Sequence, residues 1–249
     1  MEFSGGQLDI FFRPVIDPRN MQVRIYRVIP VLTTAEGVRV GVKQVLEHGG
    51  DPVDTAMRNV LVIQQAAMAL SAAHDAGNQV FLMFPVSARA METKESATIV
   101  VKGIKGLADV CAKAGILHLF DLRDRPRLND LDGLVIPLLI RFDKYVIEPP
   151  AGLEDYVAIS SCNAQGVVID MGPEHISEKD LTALWSRAAP RRLGVFVQNV
   201  CDGAVIPLAQ RYESRGIDGP IFGDMSADIG PRETFENLET FEDVSVPGE

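Results

Sequence analysis

"LDIFFRPVIDPRNMQVRIYRVIPVL" (Leu8–Leu32) decides the fold. It holds two β-rich runs around "DPRN", in which a proline flanked by Asp and Asn marks a turn. The reading is a hairpin, with one strand near Leu8–Val15 and another near Gln22–Leu32. Arg27 lies near the middle of an otherwise core-like second strand, so its charge needs an explanation.

After the hairpin, "GGDP" (Gly49–Pro52) opens a long helix, with Asp51 as cap and Pro52 in the first turn. The apolar residues Val53, Met57, Val60, Leu61 and Met68 fall mostly on one face of that helix, which is therefore expected to face the core. "AGN" (Ala76–Asn78) ends it. Strands and helices then alternate. "QVFLMFPV", "ILHLFDL", "KYVIEPP", "GVVIDMG", "RLGVFVQNV" and "GPIFGD" (Gly219–Asp224) read as strands. Helices are expected over Thr98–Ala114, Leu128–Arg141, Gly152–Ser161, Ser177–Ala189 and Gly203–Arg215. Apolar strands alternating with helices imply parallel β-structure with crossover helices. This many units in 249 residues predicts a (β/α) TIM-like barrel, with an open doubly wound sheet as the alternative. No linker divides the chain, so one barrel domain over 1–226 and an acidic C-terminal tail over 227–249 are expected.

Composition narrows the function classes. With 47% hydrophobic and 23% charged residues the chain is an ordinary globular protein. A net charge of −10 argues against binding a nucleic-acid polymer, because that rests on neutralising phosphates. No apolar run reaches the ~20 residues of a membrane helix, and the N-terminus lacks the basic start and apolar stretch of a signal peptide. A cytoplasmic location without membrane contact is the expectation. The three cysteines (Cys111, Cys162, Cys201) form no close pair and are read as reduced thiols. The four histidines show no metal-binding spacing.

In barrels of this kind the chemistry sits at the C-terminal ends of the strands. There the sequence resembles the EAL domains of bacterial cyclic-di-GMP signalling. "FFRPVIDPRNMQV" matches the family's aromatic–aromatic–Gln–Pro–Ile/Val–x–Asp and turn. "VSAR" (Val86–Arg89) looks like the segment after its second core strand. "GVFVQNV" (Gly194–Val200) stands where the family has V-I-A-E-G-V-E, and "PIFG" (Pro220–Gly223) where it has Y-L-F-G. The resemblance runs in order from about Leu8 to Asp224. It implies the EAL type of barrel, with an antiparallel first strand pair, and hydrolysis of cyclic-di-GMP by two divalent metals in active members.

The same resemblance implies that the catalytic motif is lost here. Arg27 of "RVI" occupies the place of the metal-binding Glu of E-A-L. A hard cation needs oxygen donors, and guanidinium is permanently positive. Like unit charges ~4 Å apart repel by roughly 4 kcal/mol even at an effective dielectric near 20. The family's metal-binding Asn falls on Pro85, its next Glu at or near His118 with Asp121 close behind, and its double Asp on Glu148 and Pro149. Its catalytic Lys falls on Val168, the Glu residues of its A-E-G-V-E on Gln198 and Cys201, and its nucleotide-contacting Gln on Arg13.

The expectation is therefore no cofactor, no metal and no catalysis, with Arg13, Arg27, His118, Glu148 and Gln198 lining a vestigial ligand pocket. Two readings of Arg27 stand open. It either joins Arg13 and His118 in an anion pocket, since guanidinium grips phosphate bidentately, or pairs with Glu148 or another acid and plugs the site. Correspondingly, the chain is read as a regulatory or protein-interaction module, with a protein partner and a homodimer expected. The alternative is a non-hydrolysing receptor for cyclic-di-GMP or another nucleotide.

Overall fold

The computed structural model describes residues 2–3, 6–47, 51–123, 126–172 and 177–231. The strands are β1 (Glu2–Phe3), β2 (Gly6–Asp17), β3 (Gln22–Thr34), β4 (Arg39–Val40), β5 (Phe81–Ser87), β6 (Gly115–Phe120), β7 (Tyr145–Ile147), β8 (Gly166–Asp170), β9 (Gly194–Gln198) and β10 (Gly216–Ile217). The helices are α1 (Val42–Glu47), α2 (Pro52–Asp75), α3 (Lys94–Lys105), α4 (Asp109–Ala114), α5 (Leu128–Val135), α6 (Val157–Ser161), α7 (Glu178–Ala188) and α8 (Val205–Arg211).

β2 and β3 form the expected hairpin, antiparallel from Gly6↔Thr34 to Asp17↔Gln22, with a register shift between Val15 and Ile16 that sharpens the curl. At the turn Asp17 accepts from the Arg19 backbone at 3.1 Å and from its guanidinium at 2.6 and 2.8 Å. β3 then pairs in parallel with β5, and parallel pairing continues through β6, β7, β8 and β9 to β10. β10 closes on β2 in antiparallel sense through Ile217↔Ile16. The result is a closed eight-stranded barrel in which β2 runs against both of its neighbours. An open sheet is thereby excluded.

Two cores result. Val15, Met83, Ile116, Val146, Val168 and Phe196, with Ile25 and Phe81 beside them, fill the barrel interior. A larger cluster packs the helices on the outer face of the strands. The cap of α2 is as read: Asp51 accepts from the Val53 N–H at 2.8 Å and Pro52 follows. The buried face of α2 is a different one, however. Ala56, Asn59, Ile63, Ala66, Ala67, Leu70 and Ala73 face the core, while Met57 and Met68 are exposed. Small side chains let the helix approach its neighbours closely; a Cβ on Gly103 of α3 would lie 2.4 Å from Val60.

Several element ends also differ from the sequence reading. Thr98–Ala114 is two helices, because Gly106 caps α3 and α4 begins afresh at Asp109, while Thr93 and Ser96 cap the start of α3 reciprocally. Pro137 ends α5 early, and Ile136–Ile140 continues as a 3₁₀ turn. The closing strand is Gly216–Ile217, whereas Pro220–Phe222 of "GPIFGD" is a 3₁₀ turn. Residues up to Pro231 run back along the hairpin: Ser226 bridges Phe12, Ile229 is buried, and the Tyr26 hydroxyl donates to the Pro231 carbonyl at 3.1 Å. Gly49 and Gly50 of "GGDP" and residues 232–249 of the tail lie outside the described residues.

Candidate functional site

Strand side chains alternate, so the inward positions nearest the mouth lie two residues beyond the interior layer. Stepping from Val15, Ile25, Met83, Ile116, Val146, Val168 and Phe196 gives Arg13, Arg27, Pro85, His118, Glu148, Asp170 and Gln198. Gly216 faces the same interior, since a Cβ there would meet Val15 and Phe196 at 2.6 and 2.9 Å. The next inward residue of that strand is Asp218. Barrel geometry therefore turns eight separate sequence positions into one ring. Seven of them, all but Asp218, line a cavity of about 390 Å³ at the barrel mouth, together with Lys43 and Asn199.

Arg27 answers to Asp218. Its Nη2 donates to Asp218 Oδ1 at 2.7 Å and to Asn199 Oδ1 at 2.8 Å, and its Nη1 donates to Gln198 Oε1 at 3.0 Å. Arg27 is 6% exposed and Asp218 is 1% exposed, so the ion pair is buried. Glu148 is not its partner. Burial pushes the Asp218 carboxyl above its ordinary range, against the pull of Arg27 and Arg13.

Arg13, the cross-strand partner of Arg27, is less well provided. It is 9% exposed; among the described residues it makes one long hydrogen bond, 3.5 Å to Asn199 Oδ1, and its buried Nε has no partner. Burial and the adjacent Arg27 lower its pKa, with Asp218, Cys201 and Asp224 acting in opposition. Asn199 joins the two halves of the site, because its amide donates to Asp170 Oδ1 at 2.7 Å while its oxygen serves both arginines. It has φ 59°, in the left-handed region that Asn tolerates better than most residues.

A second group sits across the mouth. Lys43 Nζ lies 2.8 Å from Glu148 Oε1 and 3.0 Å from Asp170 Oδ2. His118 Nε2 lies 3.2 Å from Glu148 Oε2 without forming an aligned hydrogen bond. Burial raises the carboxyl pKa of Glu148, but His118 and Lys43 outweigh it and the net shift is downward. For Asp170, Lys43 and Asn199 outweigh burial in the same way. A carboxylate whose pKa is depressed by folding adds stability above its unfolded value, and that stability is lost as pH falls through the folded value. Thermal midpoints are therefore expected to drop as pH falls below about 4, and less steeply in Glu148→Gln. Asp218 contributes with the opposite sign, so the difference between the two proteins is the quantity to measure. Equal slopes would exclude Glu148 as a contributor.

The five residues expected in the pocket are thus brought together, and Pro85 joins them without a ligand atom. Val168 is instead buried in the interior layer, one step below the mouth. Asp121 accepts from Ser87 Oγ at 3.0 Å and Cys201 is exposed; neither lines the cavity. Sequence reasoning missed Asp170 and Asp218, which the two-residue step would have found. It also missed Lys43, which lies on no barrel strand.

The donor set does not fit a pair of divalent ions. Arg27 holds the β3 position, Pro85 offers no side-chain donor, and Lys43 engages two of the three carboxylates. Among the described residues no three His, Cys, Asp or Glu side chains are arranged to hold a metal. The three cations (Arg13, Arg27, Lys43) balance the three carboxylates (Glu148, Asp170, Asp218), so the site neutralises itself.

No protein-family model and no curated protein sequence matches the chain. Solved structures do match. The PaMucR phosphodiesterase in complex with c-di-GMP superposes with a TM-score of 0.72 at 14% identity, over 88% of this chain and 92% of the other. The FimX EAL domain of Pseudomonas aeruginosa, bound to c-di-GMP, gives 0.64 at 15%, over 88% and 91%. The Bacillus subtilis YkuI protein, which has an EAL domain and is complexed with c-di-GMP and calcium, gives 0.68 at 14%, over 90% of this chain and 56% of the other. Among the described residues no helix is long and apolar enough to cross a membrane. The closed barrel, its antiparallel first pair and these superpositions give this chain the fold of the EAL domains.

Proposed function

We propose that the chain is a catalytically silent EAL-type barrel that acts as a regulatory or protein-interaction module in cyclic-di-GMP-related signalling. The observation that carries this reading is the buried Arg27–Asp218 pair at the position where the resemblance expects a metal-binding Glu. Metal-assisted cleavage of a phosphodiester needs ions that generate the nucleophile and stabilise the leaving oxygen. A guanidinium locked into the donor ring repels such ions. Exposed Ile136, Leu139 and Ile140 after α5 supply apolar surface of the kind that protein contacts use. The test is turnover of cyclic-di-GMP with Mg²⁺ or Mn²⁺ by the purified chain. No linear product above background is expected; metal-dependent product would sink the reading.

One observation favours a second reading, a receptor that binds cyclic-di-GMP or another nucleotide without hydrolysis. Arg13 is a nearly buried guanidinium with no carboxylate in salt-bridge contact among the described residues, and it faces the mouth cavity. Calorimetric titration with cyclic-di-GMP, with and without Mg²⁺, tests it. Metal-independent binding is expected, weakened about ten- to a hundredfold in Arg13→Ala, the loss of one charged hydrogen-bond donor. Absence of binding would leave the protein-interaction role alone.

A further inference from the structure

A second cavity, of about 490 Å³, opens between the β7–α6 connection, the end of β8 and α7. Lys43, Glu148 and Asp170 line both it and the barrel mouth, so their ion cluster forms the shared wall. Beyond that wall the lining is mostly apolar, with Pro149, Pro150, Leu153, Met171 and Leu184. The connection is pinned at two points. The Leu153 N–H donates to the Pro150 carbonyl at 3.2 Å around Gly152, which has φ 78°, and Arg187 Nη1 of α7 donates to the Leu153 carbonyl at 3.0 Å. Tyr156, at the start of α6, is 1% exposed and lines the same cavity. Its hydroxyl is buried and forms no aligned hydrogen bond among the described residues. Burial pushes the phenol pKa up against the pull of the nearby Arg187, so the phenol keeps its proton. A guanidinium only donates and cannot accept that proton. One unspent donor and one cation therefore stand together in a largely apolar cavity.

We infer that this cavity binds a small amphipathic carboxylate, its oxygens accepting from the Tyr156 hydroxyl and the Arg187 guanidinium and its apolar body lying against Pro149, Pro150 and Leu184. A carboxylate supplies one acceptor oxygen for each donor, and hydrogen bonds to an ionised acceptor are the strong kind. An uncharged apolar ligand would leave the buried hydroxyl unpaired, which is costly, and a cation would meet Arg187. The volume falls within the roughly 300–1,000 Å³ usual for small-molecule sites, and an apolar lining with a few convergent polar groups is their usual character. Tyr156 and Arg187 lie outside the ring of strand-end residues, so occupancy of this cavity does not depend on whether the barrel mouth is silent.

The probe is 2-naphthoate, titrated into the full chain and followed by its own fluorescence, with the uncharged 2-naphthamide as control. The carboxylate is expected to bind, and the amide to bind about tenfold more weakly or worse. Tyr156→Phe keeps the ring and removes only the hydroxyl; it should weaken 2-naphthoate by roughly tenfold or more, the loss of one hydrogen bond to a charged group. Arg187→Gln should weaken it at least as much. Without probe, Tyr156→Phe should melt no lower than the unaltered protein, since the hydroxyl it lacks had no partner to lose. No binding at millimolar 2-naphthoate, or equal affinity for the acid and the amide, would overturn the site. So would a loss in Arg13→Ala that Tyr156→Phe does not share, which would place the probe in the barrel mouth. A lowered melting midpoint in Tyr156→Phe would show that the hydroxyl is already satisfied within the chain, and would overturn it too.

Discussion

Asp218→Ala is expected to destabilise the protein by about 3–5 kcal/mol, the usual result of stripping one partner from a buried ion pair. Asp218 is the carboxylate on which Arg27 rests at 2.7 Å, and it also lowers the cost of burying Arg13. With it gone, two guanidinium groups facing each other across β2 and β3 stay in a low-dielectric ring. For a chain near 250 residues, each kcal/mol moves the melting midpoint by about 2–4 °C, so a fall of roughly 6–20 °C follows. Adding Arg27→Met should recover much of the loss, because an apolar pair of similar volume often replaces a buried ion pair without penalty. A single-variant effect below about 1 kcal/mol would mean that Arg27 is neutralised by some other group, against the barrel-mouth arrangement described above.

Gly219→Ala should be comparably severe for a steric reason. A Cβ at 219 would lie 2.0 Å from the Val200 carbonyl oxygen and 2.3 Å from the Val200 nitrogen. Both are backbone atoms, and neither can swing aside as a side chain could. The strand ends would have to part, breaking the 2.9 Å bond from the Val200 N–H to the Asp218 carbonyl. Asn199, next in the chain, would move with it. Overpacking of this kind typically costs about 1–3 kcal/mol and more where backbone must shift, so about 3 kcal/mol or more is expected. Urea unfolding measures it; a variant as stable as the unaltered protein would show that the junction yields freely.

The barrel was legible in the sequence because its two signals are local. The "DPRN" turn fixes the hairpin, and strand–helix alternation fixes parallel pairing. Helix interruptions were less visible: Gly106 and Pro137 sit inside apolar runs whose periodicity continues past them. The α2 face was misread because hydrophobicity favours Met57 and Met68, whereas close packing selects alanines. In the site, Arg13, Arg27, His118, Glu148 and Gln198 were found through the family pattern. Asp170 and Asp218 lie on the same period-two ring, one in plain view as the last residue of "VVID". Lys43 obeys no period, since it reaches the site from a connection, and only the folded chain brings it there.

The closure of the barrel bears on the order in which the molecule can be made. β2 and β3 are complete by Thr34, yet the strand that seals β2 is Gly216–Ile217. At about 5–20 residues/s of synthesis, the hairpin waits roughly 10–40 s for its last neighbour. Until then Arg13 and Arg27 have no Asp218, and the free edges of β2 and β9 stay open to unwanted pairing. The charges that make the first hairpin a poor core are thus also what keeps the unfinished sheet wet. The arrival of the last strand neutralises Arg27, covers both edges and ends the exposure in a single step.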